Sequence, residues 1–165
     1  MAKAKASKNL NASTIKKAHG KKFTQKKVVV EVEGNEYEIL IDEKFEAVKM
    51  QQLAFEGLTN FKEFTSLDEG NQINYFSFLI LKYFTNVDVK NVKKVADQLE
   101  LMNSMLNLGI IGAIFDNMPA EEIHAVGEHL KKLTERVKRL DSMGKPPKDA
   151  KQLESIIKSE IKDED

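Results

Sequence analysis

Residues 28–42 read VVVEVEGNEYEILID, and the alternation in this stretch decides how the rest of the chain is read. Val28, Val30 and Val32 alternate with Glu31 and Glu33. After Gly34-Asn35, Tyr37, Ile39 and Ile41 alternate with Glu36 and Glu38. A period of two gives one apolar face and one wet face, as a half-buried strand requires. A two-residue Gly-Asn loop supplies the positive φ angles of a tight turn, so a β-hairpin is expected. Two strands are marginal in water by themselves, so the hairpin must pack on helices or pair with another chain.

Downstream the apolar spacing turns helical. Asp42 is an expected N-cap, with Phe45, Val48, Gln52 and Phe55 at helical spacing after it and Gly57 and Thr59-Asn60 marking the end. A loop is expected at SLDEG, residues 66–70. INYFSFLILKYF, residues 73–84, is apolar on more than one face and reads as the central buried helix. TNVD at 85–88 breaks it, and from Asn91 the spacing of Val92, Val95, Leu99, Met102 and Leu106 is helical again, up to Leu108-Gly109. Ile110, Ile111, Ile114 and Phe115 form a short apolar helix. Pro119 suits the first turn of the next one, with Glu121 and Glu122 complementing its dipole.

That next helix carries a narrow seam of Ile123, Val126, Leu130, Leu133, Val137 and Leu140. Such a seam packs on one partner helix, either within the same bundle or on another subunit. MGKPP at 143–147 stops it, and Leu153, Ile156, Ile157 and Ile161 form a last amphipathic segment, a short docking helix or a frayed tail. The fold class expected is α+β, mostly α. It comprises a flexible basic N-terminal arm at 1–27, then one β-hairpin plus a helical bundle of about four to five helices at 28–143. A linker and C-terminal amphipathic tail follow at 144–165.

The arm stands out by charge. Its 27 residues hold nine lysines and no acid, whereas the whole chain is formally neutral. Seventeen of the 26 basic residues and all 26 acids fall after residue 27, which leaves that part at about −9. A stretch of this kind is either a solvated tail or an arm that touches an acidic surface: nucleic acid, a neighbouring copy, or another protein. The absence of cysteine removes disulfides, thiolate zinc sites and thiol catalysis. Phe76–Leu81, with Ser77 inside it, is the longest apolar stretch, far short of the ~20 residues of a membrane span. With no apolar core behind the lysines to make a signal peptide, a cytoplasmic protein is expected.

Motifs for chemistry are missing. His19, His124 and His129 lack zinc-site spacing and read as surface histidines. No G-x-S-x-G, P-loop or G-x-G-x-x-G occurs, and the acids fall on polar faces beside lysines. No catalytic, cofactor-binding or metal site is therefore expected, and the chain reads as a non-enzyme. Arg136 and Arg139 are the only arginines, and Phe23 is the only aromatic in the arm, which disfavours sequence-specific DNA readout. Non-specific phosphate contact through the lysines stays open.

LILKYFTNVDV at 79–89, with Phe84-Thr85 closing the buried helix, is followed by LELMNSMLNLGIIGAIFDNM at 99–118. Over residues 28–140 this phrasing resembles the tail assembly chaperones of long-tailed (siphovirus-like) bacteriophages, small proteins encoded just before the tape measure protein. The resemblance implies a homo-oligomer in the infected host cytoplasm. It would coat or load the tape measure protein and leave as tail tube subunits arrive. A re-packable groove suits that task, and Met102, Met105 and Met118 supply adaptable apolar surface, unless they simply fill the core.

The contact residues expected are Lys16, Lys17, Lys21, Lys22, Lys26 and Lys27 in the arm. Met102, Met105, Leu106, Ile110, Ile114, Ile123, Val126, Leu130, Leu133 and Val137 are expected on the helices. The arm would lie across the acidic body of the next copy, a heterologous contact that builds rings or open helices, and the hairpin edge could extend it by strand addition. Two other readings stand beside this one: a permanent structural or adaptor subunit of a virion, and a small regulator contacting nucleic acid through its arm.

Overall fold

The computed structural model describes residues 11–144, 151–152 and 155–157. Its elements run α1 (Ala12–Lys22), β1 (Gln25–Val32), β2 (Asn35–Asp42), α2 (Ala47–Thr59), α3 (Phe61–Thr65), α4 (Glu69–Phe84), α5 (Val95–Asn107), α6 (Ile110–Phe115) and α7 (Ala120–Ser142). The fold is α+β and mostly α, with one antiparallel hairpin on a helical body.

The hairpin buries Val28 and Val30 of β1 and Ile39 and Ile41 of β2, whereas Tyr37 stays exposed. Its turn is Glu33-Gly34, one residue earlier than the Gly-Asn loop expected, with φ of 51° and 77°. Both central residues at positive φ match the twist of the strands, and glycine in the second place removes most of the strain. Val32 pairs with Asn35 and Val28 with Ile39. The expected register differs from this one by two residues, so both keep the same apolar face. The observed one places Gln25 opposite Asp42, whose carboxylate accepts from the Gln25 amide at 2.8 Å. Asp42 also pairs with Lys49 of α2. It is buried at the end of β2 and is not a helix cap, which corrects the expectation: α2 starts five residues later, after Glu46.

The arm is not without structure where it is described. Asn11 accepts from the Thr14 N–H at 2.9 Å and starts α1, and His19, Lys21 and Lys22 occupy its last turn, where cations complement the helix dipole. Lys26 and Lys27 belong to β1. Residues 1–10, and Lys3, Lys5 and Lys8 with them, lie outside the described residues.

The helical body is built on α4, which buries Tyr75, Phe78, Leu79, Ile80, Leu81 and Phe84. Asp68 caps it, accepting from the Asn71 N–H at 2.9 Å, and that bond holds its carboxyl below the ordinary value. At its far end Phe84 lies face to face on Phe45, ring centroids 3.6 Å apart. The next residue, Thr85, bridges to Ile41 of β2. Asn86 then brackets Leu40, donating its N–H to the carbonyl at 3.1 Å and accepting the N–H on its side chain at 2.8 Å. Those contacts fasten the hairpin to the end of α4.

Two helices differ from their expected faces. In α2 the buried side chains are Leu53, Ala54 and Leu58, and Val48 is 61% exposed. In α5 they are Val95, Gln98, Met102 and Met105, with Leu106 turned out. The helix expected from Asn91 begins only at Val95 because the Gln98 side chain donates to the Val92 carbonyl at 3.0 Å and holds the preceding segment in a turn. Gly109, at φ 72°, makes the break between α5 and α6.

At the C-terminal end, residues 151–152 and 155–157 are helical. Ile157 is buried in a small cluster with Ala54, Leu58, Leu133 and Val137, so this part of the amphipathic tail docks. Leu153 and Ile161 lie outside the described residues.

Replacing Phe84 by alanine removes a fully buried ring and the stack on Phe45. Denaturant unfolding should show a loss of about 3–5 kcal/mol, and a loss below about 1 kcal/mol would contradict the role given to that stack.

Candidate functional site

Helix α7 has two working faces. Val126, Leu133 and Val137 are buried on one. Gly127, Leu130, Lys131, Thr134 and Lys138, spaced three and four apart, border an open groove on the other. The facing wall is the first half of α4, with Glu69, Gln72, Ile73 and Phe76, and the floor is Gly57, Leu58, Phe61, Phe64, Tyr75 and Leu79. The short α3 makes this shape possible, because it turns the chain between α2 and α4 and sets Phe61 and Phe64 at the end of the trough.

The groove has a volume of about 530 Å³. Its base is aromatic: the Phe64 and Tyr75 rings sit 5.9 Å apart at 44°. The Tyr75 hydroxyl accepts from the Asn60 side chain at 2.9 Å, and burial pushes the phenol up to about 12. Ile73, 60% exposed, stands on the α4 wall, and Glu69, Lys131, Glu135 and Lys138 put charge around the lip. A Cβ added at Gly127 would meet no neighbouring atom within 4 Å. The arrangement offers an apolar seat with mixed charge around it and suits the greasy stripe of another helix.

Beside the groove, α2 is braced to α4 by a half-buried polar cluster. Lys82 Nζ lies 2.7 Å from both carboxylate oxygens of Glu56, and the Tyr83 hydroxyl donates to the same carboxylate at 2.6 Å. Burial, and then the Glu56 carboxylate, push the Tyr83 phenol above its ordinary value. Among the described residues no group of three or more His, Asp or Glu side chains is placed to hold a metal ion. Among them, too, no helix is long and apolar enough to cross a membrane.

A family model described as YomO matches residues 12–165, a span that opens with α1 and takes in both walls of the groove and Ile157. The chain belongs to the YomO family. That family is of a Bacillus phage type, and this is a phage-related protein. Neither the comparison with curated proteins nor that with solved structures found a match.

In this YomO-family chain the expected contact residues are scattered. Lys16, Lys17, Lys21, Lys22, Lys26 and Lys27 are exposed. Met102, Met105, Ile114, Val126, Leu133 and Val137 lie buried in the chain's own core, where the expectation had them on a contact surface. Leu133 and Val137 of the α7 seam pack with Ala54, Leu58 and Ile157, whereas Val126, Met102, Met105 and Met118 belong to the larger core around α4. Leu106 is exposed, and Ile110, Ile123 and Leu130 are half-buried. Of the ten helical positions only Leu130 lines the groove, whereas Met105 and Ile110 line a smaller cavity of about 310 Å³ beneath the hairpin with Val32 and Tyr37. His124 is exposed as expected, but His129 is buried, since it stands three residues after Val126 and four before Leu133 on the inner stripe.

The groove residues Phe61, Phe64, Ile73, Phe76 and Gly127 were not singled out by sequence as a site. A surplus of large apolar side chains on two adjoining short segments, with a glycine inside an otherwise regular seam helix, was the available signal.

Two measurements check this geometry. Glu56→Gln leaves the Lys82 ammonium without its counter-charge and should cost about 1.5–3 kcal/mol in denaturant unfolding; no change would mean the cluster does not brace α2. For Tyr75, the folded value of about 12 lies above the ordinary 10. The unfolded chain therefore ionises first, and stability falls as pH rises from 10 towards 12. Ultraviolet difference titration should show late phenolate components from Tyr75 and Tyr83, of which Tyr75→Phe removes one.

Proposed function

We propose that this chain is a non-catalytic tail assembly chaperone of a long-tailed phage, and that it seats apolar helical segments of the tape measure protein in the α4–α7 groove. The observation that carries the reading is the groove itself, with its aromatic floor, charged lips and a vacant space at Gly127 in the middle of one wall. Helix-in-groove recognition needs these parts: a trough for residues at i, i+3, i+4 and i+7, and polar margins that keep the empty site soluble. Membership of a phage-type family supports the setting.

The physical need is plain. A very long helical chain with exposed apolar seams aggregates before its tube encloses it, and transient cover prevents that. Cover of this kind calls for modest affinity and ready release, so an open trough serves better than a closed cavity. No bond needs to be made or broken, and the task asks nothing of His124 or of the surface carboxylates.

The test fills the trough without weakening the fold. Gly127→Leu puts its Cβ in open space on that wall, and replacing glycine inside a helix raises helix propensity by up to about 1 kcal/mol. Co-expression with the tape measure protein of the same phage, followed by pull-down, should recover it with the parent chain. Recovery should fall at least roughly tenfold with Gly127→Leu, although that variant unfolds no earlier. Equal recovery with both chains, or none with either, would sink the proposal.

A further inference from the structure

Helix α1 has no buried residue. An isolated helix of that length is marginal in water, because most helical stability in proteins comes from packing an apolar face. Here Lys17 and Lys21 also repel one another one turn apart. Lys16, Lys17, Lys21 and Lys22 are exposed, and among the described residues none of the four has an ion pair. The element is an unpartnered cationic surface at the open end of the hairpin, where His19 sits 3.2 Å from Glu46 and Thr24 accepts from the Glu43 N–H.

The other end of the same hairpin has the opposite character. Glu31, Glu33 and Glu36 are clustered around the turn, and Glu31 lies directly across from Glu36. Like charges at a cross-strand pair destabilise a hairpin. The one ion pair on that strand face joins Glu38 to Lys27, closer to the open end. Eight residues of strand separate the two ends, about 26 Å at ~3.3 Å per residue. At physiological ionic strength the Debye length is about 8 Å, so the lysines of α1 cannot neutralise the acids at the tip of their own hairpin.

We infer that α1 is the docking surface for the acidic hairpin tip of a second copy of this chain. One unbalanced cationic end and one unbalanced anionic end neutralise each other head to tail, and a heterologous contact of this type propagates from copy to copy. The contact uses neither wall of the groove, so it stands or falls apart from what the groove holds. A polyphosphate would satisfy α1 but would leave Glu31 and Glu36 opposed, which is why the second copy is favoured.

The experiment is light scattering and sedimentation of the full chain at roughly 50 and 500 mM salt, after nuclease treatment. The parent should exceed monomer mass at low salt and return to monomer at high salt. Two variants, Lys16→Glu/Lys17→Glu/Lys21→Glu/Lys22→Glu and Glu31→Lys/Glu36→Lys, should each be monomeric with unchanged circular dichroism. Mixed in equal amounts they should associate again, because each then carries the complement of the other. Should either reversal misfold, the glutamine versions of the same sites should weaken association at least roughly tenfold. A parent that is monomeric at low salt overturns the inference. So does association that persists in either variant, a mixture that stays monomeric, or mass that nuclease removes.

Discussion

The stack of Phe45 on Phe84 is the contact on which the architecture turns. Phe45 stands in the short link between the hairpin and α2, and Phe84 is the last residue of α4. The Phe45 N–H donates to the Glu122 carboxylate in the first turn of α7 at 3.1 Å, so the same residue that anchors the sheet to α4 also positions the start of α7. With Thr85 and Asn86 bracketing the end of β2, a two-stranded sheet that is marginal alone becomes one wall of a helical core. Removal of the ring would loosen several elements together, because the stack joins parts far apart in sequence.

The groove follows from that anchorage. Once α4 is fixed at its C-terminal end by Phe84 and α7 at its N-terminal end by Glu122, their other ends diverge around α2 and α3, and side chains on the inner sides of both face a common trough. The Glu56–Lys82–Tyr83 cluster holds α2 against α4 with charge-assisted bonds in a half-buried setting. These interactions give rigid geometry to one wall and the floor.

Much of this was legible in the residues. The period-two stretch at 28–41 made the hairpin unmistakable, and the many-sided apolarity of 73–84 marked α4 as central. The turn was displaced because two registers, two residues apart, bury the same valines and isoleucines; Gln25 meeting Asp42, and Gly34 in the second place of the turn, distinguish the observed one. The α7 seam was visible, but periodicity does not say which neighbour covers it: the larger core covers Val126, and α2 with Ile157 covers Leu133 and Val137. His129 sat on that seam in plain view and was discounted for lacking ligand spacing, though its place between Val126 and Leu133 foretold burial. The groove was hidden for a different reason. It exists only because α3 folds Phe61 and Phe64 back beside Tyr75, and no local pattern reports the direction of a five-residue turn.

The apolar interior comes in two parts of unequal size. The larger runs from the hairpin through α4, α5 and α6 to Val126; the smaller holds Ala54, Leu58, Leu133, Val137 and Ile157, and Leu130 packs against both. Stability is therefore uneven along α7, firm where its N-terminal half joins the larger part and slighter beyond Leu130. The α7 wall of the groove thus spans both parts, and a change in the smaller one reaches the mouth without passing through the principal core.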